Sequence, residues 1–146
     1  MNKKKYLLVI GIFLLVAVIA YALNFDNFVF ESRLNIIDFI ITLLYISCFF
    51  VLILCNTKNR YFLFFCIAWS ALTLLSSVGT LLNVYYNMPS WFADYMIIPL
   101  VVVFNMPLDG LNYLFENDHR MLQMEMVIGL IWLIMSIALI VKLKRK

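Results

Sequence analysis

WFADYMIIPLVVVFNMPLDGLNYLF, residues 91–115, determines how the chain is arranged. It is almost as apolar as a membrane span, yet it contains Pro99, Pro107 and Gly110 and carries Asp94 and Asp109. A bilayer core about 30 Å thick takes roughly 20 helical residues, each rising about 1.5 Å. The first half, residues 91–104, is too short for that and has Pro99 within a β-branched run. If both halves crossed together as one more span, the C-terminal KLKRK would fall on the outer side, against the rule that short Lys/Arg-rich segments stay in the cytoplasm. The stretch is therefore placed at the outer interface, either lying in the headgroups or dipping back into the bundle, where protein can satisfy its backbone. Its second half reads as a short helix with Pro107 in the first turn, Asp109 at the positive helix end, and Leu108, Leu111, Leu114 and Phe115 along one side.

Four longer apolar segments flank it. They run over residues 6–23, 36–55, 61–86 and 121–141, with Asp38 the sole charge of the second and Glu125 the sole charge of the fourth. Pro89 sets the end of the third near Tyr86, because the residue before a proline disfavours helical geometry. Asn35 and Asp38 have the spacing of a capping box that starts the second. The chain thus reads as one all-α integral membrane domain, a four-helix bundle with a long apolar extracytoplasmic connection over residues 87–120. Composition agrees: of 146 residues, 66% are hydrophobic and 13% charged, more apolar surface than one soluble domain of this size buries.

Charge placement gives the orientation. Lys3, Lys4 and Lys5 precede the first span, Lys58 and Arg60 join the second to the third, and Lys142, Lys144, Arg145 and Lys146 follow the fourth; only Arg33 and Arg120 lie elsewhere. Both termini are expected in the cytoplasm of a multi-pass cell-membrane protein. The acidic residues fall at the other end, so the net charge of +3 is a topology signal and not a nucleic-acid face. One rival concerns the N-terminus. Three lysines, an apolar run and Ala20-Tyr21-Ala22 resemble a secretory signal with its cleavage site, although the apolar run is long and continues into Leu23 and Phe25.

Polar residues inside spans need an account, since an acid at a span centre costs about 2.5–3.5 kcal/mol on insertion scales. Asp38, Thr42 and Tyr45 share one face of the second segment. Ser70, Thr73, Ser77 and Thr80 run along the third with Ser76, Gly79 and Asn83 beside them, and Glu125, Gly129, Trp132 and Ser136 form a stripe on the fourth. Two readings stand. In one, Asp38, Thr42, Tyr45, Ser76, Thr80, Asn83 and Glu125 line an outward-open cavity for a ligand or ion. In the other, these residues only let the helices approach and hydrogen-bond.

Six of eight methionines (Met88, Met96, Met106, Met121, Met124, Met126) gather toward the outer end, and His119 with Met121 and Met124 gives a soft ligand set suited to Cu(I). Packing is the competing explanation for the thioethers. Cys48, Cys55 and Cys66 lie inside apolar runs and form no metal or redox motif. No phosphate-binding glycine loop, GxSxG or HExxH occurs, so neither catalytic residues nor a cofactor are expected. Two function classes follow. The first is a non-enzymatic binding, accessory or immunity-type protein that meets a membrane-protein partner or cationic peptide through Trp91, Asp94, Asp109 and Glu116. The second is a small oligomeric transporter or channel built on Asp38 and Glu125.

Overall fold

The structure, a computed structural model, describes residues 3–30, 35–55, 58–115 and 118–144, with side chains described over 8–25, 35–55, 58–115 and 119–143. The described residues are helical almost throughout, with no strand among them. Four long helices dominate: α1 (Lys3–Phe30), α2 (Ile36–Cys55), α3 (Arg60–Tyr86) and α6 (Asp118–Lys144). Each contains a window apolar enough and long enough to cross a membrane. α1 and α6 extend beyond the apolar segments read from hydropathy, because helical hydrogen bonding continues into their flanking polar turns.

Helix ends follow local side-chain chemistry. At α2, Asn35 Oδ1 accepts from the backbone N–H groups of Ile37 at 2.7 Å and Asp38 at 3.2 Å, while Asp38 Oδ2 accepts from Asn35 N–H at 2.9 Å. This is the reciprocal capping box expected from the sequence. Asn59 caps α3 by accepting from Phe62 N–H at 3.2 Å. α3 ends where Asn87 turns left-handed, at φ 45°, and donates its N–H to Asn83 O at 3.0 Å. Asparagine tolerates that conformation, and Pro89 prevents the helix from resuming in register.

The connection is itself folded. α4 (Ser90–Phe92) passes through a π turn (Ala93–Ile97) into α5 (Ile98–Phe104). Pro99 accounts for the widened turn: it has no N–H to donate, and its ring crowds the carbonyl of Tyr95 one turn earlier. After Asn105 a 3₁₀ helix (Met106–Tyr113) leaves at 72° to the arm before it. Sequence reading placed an amphipathic helix there, and the turn is tighter than α, with Leu108 N–H donating to Asn105 O at 2.7 Å. Pro107 occupies its first turn as expected.

α3 packs along α6, α1 packs along α2, and the 3₁₀ helix lies against α1, α2 and α6. α5 rests on α3. The two pairs meet directly at an aromatic core in which Trp132 of α6 stands 4.3 Å from the ring of Phe49 and 6.2 Å from that of Tyr45, both on α2, and Phe13 of α1 stacks on Tyr45 at 5.7 Å. Trp132, Tyr45 and Phe49 are fully buried. Tilted and edge-on pairs of this kind add about 0.5–1.5 kcal/mol each beyond the area they bury.

Candidate functional site

On α3 the hydroxyl groups first satisfy their own helix. Ser70 donates to Cys66 O at 2.7 Å, Thr73 to Trp69 O at 3.0 Å, and Thr80 to Ser76 O at 2.9 Å. The resulting narrow surface faces α6 at Gly129, where a β-carbon would lie 3.4 Å from Leu74 N and 3.5 Å from Ser70 O. The stripe of small residues therefore does what such stripes do between membrane helices, bringing two backbones together.

Among the described residues, two further hydrogen-bond networks hold the connection. The first surrounds Asn105, at the bend. Its Nδ2 donates to Glu125 Oε2 of α6 and to Ser77 Oγ of α3, and its Oδ1 accepts from Ser76 Oγ. Ser77 Oγ also lies 3.1 Å from Glu125 Oε2. Ser76 and Ser77 reach Thr73 O at 2.9 and 3.1 Å, so Thr73's carbonyl is the alternative acceptor for both hydroxyl protons. Glu125, Asn105, Ser76 and Ser77 are all buried.

The second network holds the 3₁₀ helix. Pro107 O accepts from Thr42 Oγ1 at 3.1 Å and from Asn24 Nδ2 at 3.2 Å, and Asn24 also donates to Thr42 Oγ1 at 3.1 Å. Proline lacks an N–H but keeps its carbonyl, which needs partners once buried. One turn on, Gly110 seats against α2 so closely that a β-carbon there would lie 2.3 Å from Asp38 O and 2.4 Å from Thr42 Oγ1. No side chain fits in that space. Every residue from Asn105 to Leu111 is buried.

The residues singled out from sequence are thus divided. Asp38 and Thr42 sit under Gly110 and Pro107, while Ser76 and Glu125 meet at Asn105. Tyr45 belongs to the aromatic core. Thr80 and Asn83 are half-buried, further along α3. The connection touches both groups, with Asn105 against Ser76 and Glu125 and with Pro107 and Gly110 against Thr42 and Asp38.

Of the partner-facing residues, Trp91 and Asp94 are exposed, Asp109 is buried in the 3₁₀ helix, and Glu116 lies outside the described residues. Of the soft ligand set, His119 stacks on Tyr85 at 5.6 Å, Met121 packs against the core and Met124 is exposed. At about 100° per residue, His119 and Met121 point to opposite sides of α6, so the three do not converge. Cys48, Cys55 and Cys66 are free thiols.

Sequence reading missed Asn24, Asn105 and Gly110. Asn24 lies within the apolar window of α1, and a buried amide in such a run is itself a signal for an inter-helix partner. Asn105 stands in an Asn-Met-Pro triplet that also occurs at residues 87–89, a turn signature that gives no sign of a buried partner. No family model, curated protein or solved structure matches the chain.

Proposed function

We propose that the protein crosses the cell membrane four times with both termini cytoplasmic, and that it is a non-enzymatic binding or accessory protein whose outer end receives a cationic membrane-associated partner. The four apolar helices support the spans, and the positive charges at the ends remote from the connection support the orientation. Asn24 ties α1 to both α2 and the connection, which supports retention of the first helix over its removal as a signal.

The observation that carries the reading is the division of labour within the connection. One arm is locked into the bundle by Asn105, Pro107 and Gly110, while the other presents Trp91, Asp94, Tyr95 and Met96 to the surroundings. Trp91 is 63% exposed and Tyr95 78%. Exposed aromatic faces beside a carboxylate suit a partner rich in Lys or Arg, since a cation over an aromatic ring gains about 0.5–1 kcal/mol at exposed sites. A rigid platform also spares the ordering cost that a mobile loop would incur on binding. A transport path using Asp38 and Glu125 has less support, because the Asp38 carboxylate closes the capping box of α2 while the Glu125 carboxyl group is bonded to Asn105 and Ser77.

The test uses the full chain in nanodiscs of zwitterionic lipid, with a lysine-rich amphipathic peptide as probe and empty nanodiscs as the reference. The reading expects saturable binding above the reference and at least a tenfold loss in the Trp91→Ala, Asp94→Asn, Tyr95→Ala triple variant. Binding no stronger than to empty discs, or unchanged in the triple variant, contradicts it. Ion flux through proteoliposomes that stops in Glu125→Gln would favour the transport reading instead.

A further inference from the structure

We propose that Lys58, Arg60 and Lys142, at the end of the α3–α6 pair remote from the connection, bind the headgroup of an anionic phospholipid.

The register of the two helices brings these cations to one depth. α3 and α6 pack antiparallel, with Ser77 bonded to Glu125 and Gly129 seated against Ser70 and Leu74. Arg60 lies 17 residues before Ser77, and Lys142 lies 17 residues after Glu125. At about 1.5 Å per residue, both stand about 25 Å from the Ser77–Glu125 bond, and Lys58 follows just beyond Arg60. All three are exposed.

The chain supplies nothing to neutralise them. It has no Asp or Glu between Asp38 and Asp94, and none after Glu125. Lys58, Arg60 and Lys142 accordingly make no ion pair among the described residues. Helix chemistry does not account for the arrangement either, because α3 has no acid in its first turn and opens on Arg60, where the positive end of the helix favours an anion. Topology asks only for cations somewhere in the short segment before α3. Setting one of them in the first turn, level with Lys142, leaves like charges facing outward at one depth, and an external anion relieves their repulsion.

The surface beside them fits the rest of a lipid. Tyr61 and Phe65, one turn apart on α3, are both exposed. Phe65 stands 5.9 Å from Phe62 and 5.7 Å from Trp69, forming a ladder of rings that descends about 10 Å from headgroup depth. A guanidinium forks onto two oxygens of a phosphate diester, and the ammonium groups add point charges, while an acyl chain runs along the rings. Basic groups between span ends are a known setting for anionic headgroups. A soluble anion uses the charges and leaves the ring ladder without a role, so the lipid is the better occupant.

This inference rests on the four-span reading and is independent of the outer partner. The full chain, purified in neutral detergent, is titrated with dioleoylphosphatidylglycerol or dioleoylphosphatidylcholine; native mass spectrometry counts the retained lipid, and thermal unfolding is followed alongside. The expected result is one phosphatidylglycerol per chain, held at least tenfold more tightly than phosphatidylcholine, with a Tm that rises along the same titration. Arg60→Gln combined with Lys142→Gln should remove the preference, whereas Arg120→Gln, at the opposite end of α6, should keep it. All three positions are exposed, so the packed core is untouched. Equal retention of the two lipids, a preference that survives the double variant, or one lost equally in Arg120→Gln overturns the proposal. An equal Tm rise with inorganic phosphate also overturns it, by assigning the charges to a soluble anion. A chain that stays dispersed without detergent contradicts the four-span reading itself; one that needs detergent and ignores phosphatidylglycerol contradicts this inference alone.

Discussion

Replacing Gly110 by alanine is the sharpest perturbation the fold offers. A β-carbon at that position would lie 2.3 Å from Asp38 O, 2.7 Å from the carbonyl carbon of Asp38 and 2.4 Å from Thr42 Oγ1. Two of these atoms are backbone within the first turn of α2 and have no rotamer to change. Ordinary contact begins at about 3.4 Å, so the 3₁₀ helix has to withdraw by about 1 Å. That movement stretches the bonds from Thr42 and Asn24 to Pro107 O, now 3.1 and 3.2 Å, out of range. Overpacking of this kind costs about 1–3 kcal/mol, and inter-helix hydrogen bonds average about 0.6 kcal/mol each, giving about 3 kcal/mol in all.

The other glycines provide internal controls. Gly11 has open space where the β-carbon would go, Gly79 meets only the side chain of Ile97 at 3.6 Å, and Gly129 meets Leu74 N at 3.4 Å. Alanine should be neutral or stabilising at Gly11 and Gly79, since it favours helix by up to about 1 kcal/mol, and mildly costly at Gly129. Equilibrium unfolding in mixed micelles, read by circular dichroism, gives the four values. If Gly110→Ala falls within about 0.5 kcal/mol of the native chain, the connection is not seated against α2 as described.

Two further outcomes follow from the packing. Thr42→Val and Asn24→Ala should each destabilise by about 0.5–2 kcal/mol, and a double-mutant cycle should show them coupled, because both hydroxyl and amide serve Pro107 O. Trp132→Ala should cost about 3–5 kcal/mol in the same unfolding assay, whereas Trp132→Phe should cost under about 1.5 kcal/mol, since the indole N–H has no partner among the described residues and the ring contacts with Phe49 and Tyr45 survive in part.

Much of the architecture was legible because it depends on local chemistry. Apolar length marks the four long helices, Asn35 with Asp38 marks the start of α2, and Pro89 marks the end of α3. Hydropathy also limited residues 91–115 to lying at the interface or dipping inward, without choosing between them. The choice rests on contacts distant in sequence. Pro107 O finds donors 65 and 83 residues away, on α2 and α1, and no periodicity encodes that pairing. The same reason limits what the polar stripes reveal. Helix faces show which polar residues point inward, as Asp38, Thr42, Ser76 and Glu125 do, but not what fills the space between them. A glycine with no special φ, such as Gly110, leaves no mark in a single sequence when its role is to admit a neighbouring helix.

The central claim is that buried polar residues hold one arm of the connection inside the bundle and leave the other arm outside. Methionine is a sensitive natural probe of this, because Met96 on the first arm is 55% exposed and Met106 at the start of the second is 4% exposed. Hydroxyl-radical footprinting of the unmodified chain in nanodiscs, read by mass spectrometry, compares them within one molecule. The account predicts oxidation of Met96, together with Trp91 and Tyr95, about tenfold faster than that of Met106. Equal rates at Met96 and Met106 would contradict it.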